Sequence, residues 1–351
     1  MNLFIRVDSD GKIGAGHIMR CIALAQAWQD HGGEVTFISH CESEALRERI
    51  SKEGFQFIAV KAPHPHSDDL SITLEYLKRP SAFTLHPSPT WLVLDGYHFT
   101  TEYQKTIRDG GIRLLVIDDM NHLPHYHADI LLNQNIHAPE LTYHCDENTT
   151  LLLGTQYALL RREFLKHSNF QRHIPERAKN ILVTLGGADP DNVTLKVIEA
   201  LKLLDDPGIE VKIIVGPVNP HKNILLQSLS STRSACELLI NPPNMPELMA
   251  WADMAISAGG STCWELALMA VPGLLFILSE NQEPIAVYFN KSKAAQNLGW
   301  HSRYNFNELS DLIFSLILDF KARKAMSDNN KDLIDGMGSL RMYKCMMEDH
   351  A

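Results

Sequence analysis

Residues 3–20 read LFIRVDSDGKIGAGHIMR, and the pattern of this stretch decides the fold class. Leu3–Val7 is an apolar run interrupted only by Arg6, which is typical of a buried strand. A loop with three glycines follows, and from Ile18 to Trp28 the apolar residues recur every three or four positions, as on the buried face of a helix. A strand that runs through a glycine turn into a helix predicts the opening of a parallel α/β sheet.

The same alternation of strands and helices continues to about residue 133, stops in a polar stretch over residues 137–175, and restarts at Ile181. We therefore predict an α/β protein with two Rossmann-like, doubly wound domains facing one cleft. The predicted domains are residues 1–165 and residues 176–320, followed by a helical segment 321–351. Within the second domain the apolar spacing predicts a helix over Ile285–Leu298.

Composition excludes several classes of protein. The chain has 351 residues, of which 45% are hydrophobic and 21% charged, so a disordered chain, a fibre and a small disulfide scaffold are excluded. The 32 basic and 42 acidic residues give a net charge of −10, which argues against nucleic-acid or membrane-surface partners. No export signal or run of ~18 apolar residues is visible, so we predict a cytoplasmic protein, either a monomer or a weak dimer.

The loop before the first helix carries the first candidate catalytic group, His17. The glycine spacing matches neither GxGxxG nor GxxxxGK[ST], so nicotinamide and P-loop sites have little support. His17 is predicted at the helix N-terminus, where the helix dipole disfavours the imidazolium form. A neutral imidazole there accepts a proton as a general base, and the alternative is that His17 is a polar helix cap.

Three further turns in the second half follow predicted strands. Residues 257–265, SAGGSTCWE, place glycines and hydroxyls at a helix N-terminus and predict an anion site, with Glu265 either capping the helix or binding ribose. Residues 184–189, TLGGAD, are either a second ligand turn or a plain strand-to-helix turn. Residues 279–284, SENQEP, either contact sugar hydroxyl or acetamido groups or form a solvated capping loop.

The first half also contains carboxylates and histidines that could bind a metal, but their spacing gives a metal site little support. Asp95 and the pair Asp118–Asp119 end predicted strands; adjacent aspartates usually point to opposite faces, so structural hydrogen bonds are favoured over a metal. The histidine-rich stretch HLPHYH, residues 122–127, lacks an i, i+4 pair or nearby thiolates, so no zinc site is predicted. The six cysteines are scattered without a CxxC motif. We predict no metal and no cofactor.

Several motifs together resemble one family. RVDSDGKIGAGHIMRCIALA, LDGYHFT, IDDMNHLPHYHADILLNQN, LLGTQYALLRREF, LVTLGGADPDN, ISAGGSTCWE and LSENQEP occur in this order between residues 6 and 284. They resemble the bacterial UDP-2,4-diacetamido-2,4,6-trideoxy-β-L-altropyranose hydrolases of pseudaminic acid biosynthesis. That family is similar in fold to glycosyltransferases of the two-Rossmann (B) type, including the lipid II-forming N-acetylglucosaminyltransferase. In this fold the C-terminal helices commonly cross back, so the resemblance implies that residues 321–351 cross back to the first domain.

The resemblance implies roles for individual residues. His17 is implied to be catalytic, and Tyr97 and Asn281 to line the sugar site. Similarity to the transferase fold implies that Glu265 holds the ribose, that the turn 259–262 holds the diphosphate, and that residues 244–247 contact the uracil. The predicted substrate-binding set is Gly14, Gly16, Arg20, Asp95, Tyr97, Gly186, Gly187, Met245, Gly260, Ser261, Thr262, Glu265, Asn281 and Gln282. Gly96 departs from the family, which often has another residue before the tyrosine.

The activity implied by the resemblance is hydrolysis of a UDP-sugar to UDP and the free sugar. Water would attack the anomeric carbon with inversion, and His17 would deprotonate it. A nucleotide diphosphate is a good leaving group, so a strong general acid is not required. The alternatives are a glycosyltransferase with a UDP-N-acetylated sugar donor, a 2-epimerase and a nucleotide-sugar binding module.

Overall fold

The computed structural model describes residues 1–11, 13–78, 90–187, 189–217, 219–230 and 234–348. The chain divides into two compact units. Met1–Arg162 and Met337–Ala351 make up the first unit, and Glu163–Gly336 makes up the second.

The first unit is built on a parallel sheet. In the described part of the chain this sheet has seven strands in the order β3-β2-β1-β4-β5-β6-β7. The strands are β1 (Asn2–Val7), β2 (Glu34–Ser39), β3 (Gln56–Ala59), β4 (Thr90–Asp95), β5 (Arg113–Ile117), β6 (Ile130–Asn133) and β7 (Thr150–Leu153). The helices between them are α1 (Gly16–Asp30), α2 (Glu44–Lys52), α3 (Asp69–Leu77) and α4 (Thr101–Asp109). The strand order reverses between β1 and β4, and this is where open α/β sheets bind their ligands.

The predicted opening strand and helix both form. Leu3, Ile5 and Val7 on β1 are buried. The apolar face of α1, Ile18 to Trp28, is buried in the same hydrophobic cluster. Burial of this face holds the start of α1 close to the end of β1, and the glycine loop joins the two.

The second unit repeats the plan. The helix α5 (Arg162–Leu165) spans its boundary, and the described sheet has the order β10-β9-β8-β11-β12-β13, again parallel. The strands are β8 (Asn180–Thr184), β9 (Glu210–Val215), β10 (Ala235–Ile240), β11 (Met254–Ala258), β12 (Gly273–Ile277) and β13 (Gln296–Trp300). The helices are α6 (Val193–Leu204), α7 (Lys222–Leu229), α8 (Met245–Trp251), α9 (Thr262–Leu268), α10 (Glu283–Lys291), α11 (Phe306–Leu318) and α12 (Phe320–Leu333). Within the described ranges, no helix combines the length and apolarity needed to cross a membrane.

The chain ends with α13 (Gly338–Met347), which packs in the first unit. Met342 and Met346 are fully buried in the cluster that also contains Ile22 and Trp28. Gly338 is required at its start, because a Cβ atom there would lie 2.2 Å from the carbonyl oxygen of Ala158. Of the described helices that follow α5, α13 alone belongs to the first unit.

The unit boundaries therefore differ from the predicted ones. The first boundary lies at residues 162/163, whereas 165 and 176 were predicted, and the polar stretch 137–175 contains β7, a strand of the first sheet. The segment predicted to cross back, 321–351, is split, because α12 stays in the second unit. Arg323 of α12 is fully buried there and donates hydrogen bonds to the carbonyl oxygens of Pro175 and Glu176.

The helix predicted over Ile285–Leu298 is wrong in its second half. The helix α10 ends at Lys291, and Lys293 has a positive φ of 55°, which terminates helical geometry. Residues 296–300 form the edge strand β13, paired with β12. Residues 296–300 read QNLGW, and two apolar residues are too few to decide between a strand and a helix. The edge of β12 selects the strand by supplying backbone hydrogen bonds.

Candidate active site

The candidate active site of the first unit lies where the sheet order reverses. His17 is in the first turn of α1, directly after the loop that leaves β1. Asp95 is the last residue of β4 and pairs in register with Val7, the last residue of β1. The two strand ends therefore meet at one edge of the sheet, and the His17 Nδ1 atom lies 2.6 Å from the Asp95 Oδ1 atom.

Arg20, one turn further along α1, joins two buried carboxylates. Its Nε and Nη2 atoms donate to the two oxygens of Asp95 at 2.7 and 2.6 Å. Its Nη1 atom donates to both oxygens of Asp119 at 2.9 and 2.8 Å. The side chains are 6% (Arg20), 0% (Asp95) and 8% (Asp119) exposed, so these charges are paired with one another and not with solvent.

The ion pairs decide which nitrogen of His17 carries the proton. Burial acts to raise the pKa of Asp95, but the charges of Arg20 and His17 outweigh it and hold this pKa well below its usual value. An ionised carboxylate can only accept a hydrogen bond, so His17 donates from Nδ1–H to Asp95. The Arg20 Nη2 atom lies 3.1 Å from His17 Nδ1 because both atoms donate to the same Asp95 oxygen. The other ring nitrogen, Nε2, is left in the form that accepts a proton.

The three charged groups next to His17 carry a net charge of −1. Arg20 carries one positive charge, and Asp95 and Asp119 carry one negative charge each. Asp95 is in direct contact with the imidazole ring.

Tyr97 completes the cluster. Its hydroxyl donates to Asp119 Oδ2 at 2.7 Å, and its ring lies edge-on to His17 with the ring centroids 5.1 Å apart. Gly96 before it has φ of 153°, and a Cβ atom there would lie 2.5 Å from the His98 ring. The departure from the family at this position therefore has a local cause, since His98 occupies the space that a side chain at 96 would need.

Hydrogen bonds from buried groups fix the loop between β1 and α1, which directly precedes His17. Asp8 is fully buried, accepts from Arg6, and accepts the backbone N–H groups of His40 and His64 at 2.8 and 3.0 Å. Ser9 donates to the carbonyl oxygen of Gly14 at 2.7 Å, and Gly14 has φ of 75°. Gly14 therefore serves the shape of the loop. Contact of Gly14 or Gly16 with a substrate stays a prediction.

Two residues of this cluster were not predicted as site residues, Asp119 and Asn135. Asn135 donates from Nδ2 to Asp119 Oδ1 at 2.8 Å. Asp118, by contrast, accepts from the Tyr143 hydroxyl at 2.8 Å and from the backbone N–H of Asn121 at 2.6 Å, so the two adjacent aspartates have different partners, as alternation along a strand predicts. The signal available in the sequence was their position, since Asp119 and Asn135 follow β5 and β6 at the edge where Asp95 ends β4.

The remaining predicted residues lie in the second unit, after its strands. Gly186 (φ 92°) and Gly187 form the turn after β8, next to the turn after β9. A Cβ atom on Gly216 would lie 2.1 Å from the Gly187 carbonyl oxygen, so the two turns pack backbone against backbone. Ala188 of the TLGGAD motif lies outside the described residues. Met245 is the first residue of α8.

The structure brings the predicted 259–262 turn and the 279–284 motif together. A Cβ atom on Gly259 would lie 2.7 Å from the Gln282 carbonyl oxygen, and one on Gly260 would lie 3.9 Å from the Gln282 side-chain nitrogen. The turn leads into α9, whose N-cap Ser261 makes no side-chain cap hydrogen bond, and Glu265 is in the first turn of this helix. Asn281 accepts a hydrogen bond from the Ser279 hydroxyl at 2.6 Å. Ligand binding by these residues stays a prediction.

Residues 180–337 match the model of the glycosyltransferase family 28 C-terminal domain. This stretch begins with β8 and ends after α12, so it covers most of the second unit.

Three relatives are similar to this chain over most of its length. The UDP-2,4-diacetamido-2,4,6-trideoxy-β-L-altropyranose hydrolase of Campylobacter jejuni is 25% identical over 83% of this chain and 97% of its own. The spore coat polysaccharide biosynthesis protein SpsG of Bacillus subtilis is 23% identical over 99% of this chain and 98% of its own. Protein MJ1062 of Methanocaldococcus jannaschii is 28% identical over 80% of this chain, which spans only 57% of the relative. The resemblance to the hydrolases that the motifs indicated is thus confirmed.

Solved structures show the fold. Acinetobacter baumannii MurG has a TM-score of 0.64 at 12% identity, with 99% of both chains covered. The Staphylococcus aureus MnaA–UDP structure has a TM-score of 0.67 at 13% identity, with 97% of this chain and 95% of that chain covered. The predicted fold class, two Rossmann-like α/β domains of the glycosyltransferase B type, is therefore confirmed.

Replacement of Arg20 tests the importance of its ion pairs with Asp95 and Asp119, and it needs no assumption about activity. Arg20→Met leaves Asp95 and Asp119 buried without their cation, so the free energy of unfolding at pH 7 should fall by about 3–5 kcal/mol. In the variant, burial without the guanidinium raises the pKa of Asp95, so protonation relieves the penalty as the pH falls. The difference from the wild type in urea unfolding should therefore be smaller at pH 5 than at pH 7.

The matched control for this arginine is Arg49→Met, on α2. Arg49 is paired with Glu53 at 2.8 Å, and its side chain is 30% exposed. Loss of such a surface pair should cost less than about 1 kcal/mol. Equal losses in the two variants would show that the Arg20 ion pairs do not hold this part of the unit together.

Proposed function

We propose that this chain hydrolyses UDP-2,4-diacetamido-2,4,6-trideoxy-β-L-altropyranose to UDP and the free sugar. The observation that carries the proposal is the His17–Asp95 contact at 2.6 Å, with the proton on Nδ1 and the Nε2 atom of a half-buried imidazole left to accept a proton. The hydrolase name of the Campylobacter relative supports the choice of substrate and reaction.

In the proposed reaction one water molecule attacks the anomeric carbon. His17 Nε2 takes a proton from this water as the new C–O bond forms, and the bond from the anomeric carbon to the diphosphate oxygen breaks with its electron pair leaving on UDP. The cluster of Arg20, Asp95, Asp119 and His17 passes from a net charge of −1 to neutrality. The proton then leaves His17 for solvent. Attack opposite to the leaving group inverts the configuration.

Within the first unit, Asp95 acts as a positioning residue. It holds the imidazole by a hydrogen bond and stabilises the imidazolium that forms, as the carboxylate of a catalytic triad does. Arg20 and Tyr97 hold Asp95 and Asp119 in place, and the edge-on contact of Tyr97 limits rotation of the His17 ring. Tyr97 is also proposed to contact the sugar.

Residues of the second unit are proposed to bind the nucleotide. Backbone N–H groups of the Gly259–Thr262 turn and of Gly186–Gly187 are the donors proposed for the diphosphate, which fits the acidic net charge of the chain. Glu265 is assigned to the ribose, Met245 to the uracil, and Asn281 with Gln282 to the acetamido sugar. The family 28 match over residues 180–337 supports a nucleotide-sugar role for this unit.

A second candidate function is glycosyl transfer from a UDP-N-acetylated sugar. The family 28 match and the likeness to MurG favour it, and His17 would then deprotonate an acceptor hydroxyl in place of water. Release of UDP from the altropyranose substrate without any acceptor separates the two functions.

Loss of the base should remove turnover but not nucleotide binding. His17→Asn cannot accept the proton, so kcat should fall by ~10²–10⁴-fold, the usual contribution of general base catalysis. The Kd for UDP, measured by calorimetry, should stay at the wild-type value because the nucleotide contacts are assigned to the second unit. Turnover is measured as UDP release.

His31→Asn is the matched control for this variant. His31 is the C-cap residue of α1 and donates from Nδ1 to the Ala27 carbonyl oxygen at 2.8 Å, roughly 20 Å along the helix from His17. It should keep wild-type turnover. Wild-type turnover in His17→Asn would rule out His17 as the base.

Asp95→Asn tests positioning separately from binding. A neutral amide can donate to Nδ1, which places the ring proton on Nε2 and blocks its acceptor site, so kcat should fall by ~10²–10⁴-fold. The KM should change little, because Asp95 is buried behind His17. A raised KM with an unchanged kcat would assign Asp95 to substrate binding.

Reaction in water labelled with ¹⁸O shows whether the bond that breaks is the one from oxygen to the anomeric carbon or the one from oxygen to phosphorus. Attack at the anomeric carbon places the label in the sugar, and NMR at early times should show the inverted anomer before mutarotation. Boiled enzyme under the same conditions is the control for spontaneous hydrolysis. Label found in UDP would mean attack at phosphorus and would contradict the mechanism.

A further inference from the structure

A second cluster of side chains lies in the first unit, in the segment between β5 and β6. Tyr126 forms an isolated parallel bridge with Cys145, and its backbone N–H donates to the His144 carbonyl oxygen at 2.8 Å. Tyr126 is fully buried. In extended backbone the residues on either side of it, His125 and His127, share the opposite face, and both turn toward Asp146 on the adjoining segment.

The donor atoms of these three residues converge. The His125 Nε2 and His127 Nδ1 atoms each lie 2.9 Å from Asp146 Oδ1. The three donor atoms lie within 4.8 Å of one another. A tetrahedral zinc site with bonds of about 2.0–2.1 Å holds its ligand atoms roughly 3.4 Å apart, so small side-chain rotations are enough to take the ion.

The backbone at each donor residue is already held. The His125 carbonyl oxygen accepts from the Thr101 hydroxyl at 2.8 Å, and the His127 N–H donates to Gln104 at 3.1 Å, both from α4. The Asp146 carbonyl oxygen accepts from the Thr149 N–H at 3.0 Å. An ion binding here therefore has to order only side-chain torsions.

The three side chains are partly exposed to solvent, so an ion can reach them, and Asp146 supplies a negative charge that attracts a cation. The side chains of His125, His127 and Asp146 are 37%, 22% and 33% exposed. An aspartate carboxylate is ionised at neutral pH, so Asp146 is available as a ligand.

We propose that His125, His127 and Asp146 bind one divalent transition-metal ion of the zinc class. The ligands are His125 Nε2, His127 Nδ1 and one carboxylate oxygen, with a water molecule in the fourth position. Two imidazoles and one carboxylate suit zinc, nickel or copper, and not magnesium or calcium, which prefer oxygen ligands. The bound ion links the segment before β6 to the segment before β7 and so stabilises the first unit.

The sequence alone argued against this site because HLPHYH lacks a helical pair or a thiolate. The missing donor is Asp146, which lies 19 positions after His127 and approaches it only through the Tyr126–Cys145 bridge. None of the three residues belongs to the His17 cluster, so the inference does not depend on the proposed hydrolysis.

The test is a zinc titration of the full chain after treatment with a chelator. Zn²⁺ is added in competition with a chromogenic chelator, and one tight equivalent is expected, together with a raised midpoint of thermal unfolding. His127→Ala and Asp146→Ala should each weaken this equivalent by at least ~10-fold, as loss of a ligand group does. Mg²⁺ should not displace the zinc.

The chain has 17 histidines and six cysteines, so weak binding elsewhere needs a control. The double variant His221→Ala/His301→Ala removes two histidines of the second unit and should keep the tight equivalent and the thermal shift. Asp146→Asn, which keeps shape and hydrogen bonding, replaces Asp146→Ala if that variant does not fold. The proposal is overturned if the wild type binds no tight equivalent, or if the cluster variants bind zinc as tightly as the wild type.

Discussion

The ion pairs of Arg20 with Asp95 and Asp119 are the interaction on which the first unit's site depends. Two carboxylates at neighbouring strand ends would repel each other in a buried setting, and a single guanidinium with several donors can bind both. Because Arg20 lies three residues after His17, on the same face of α1, the contact that neutralises Asp95 also sets the position of the imidazole. A lysine could not form both bidentate contacts at once.

Parallel sheet topology explains why the candidate residues gather at strand ends. In the first unit, His17 follows β1 and Asp95 ends β4, the two strands between which the order reverses. In the second unit the glycine turns follow β8 and β11, which flank the corresponding reversal. At such a reversal the connections that leave the two strands run to opposite sides, which opens a crevice at the carboxyl ends of the strands for polar side chains and ligands.

The sequence predicted the structure correctly where a local pattern of residues is compatible with only one secondary structure. The apolar face of α1 predicted a buried helix after the glycine loop, and this is confirmed by its burial. Residues 296–298 were misassigned to a helix because a segment with few apolar residues has two solutions, and pairing with β12 selected the strand. The return of α13 to the first unit at Gly338 depended on close backbone packing against Ala158, which no local pattern reports.

The sequence by itself determined the α/β class, the place of His17 at the start of a helix, and the resemblance to the UDP-sugar hydrolases. Only the tertiary structure decided that Asp95 is the partner of His17, that Asp119 shares Arg20, and that Asp146 meets His125 and His127. These pairs are separated by 78, 99 and about 20 positions. Contacts over such separations depend on which strands are neighbours in the sheet, and strand order is set by the packing of the whole unit rather than by any local run of residues.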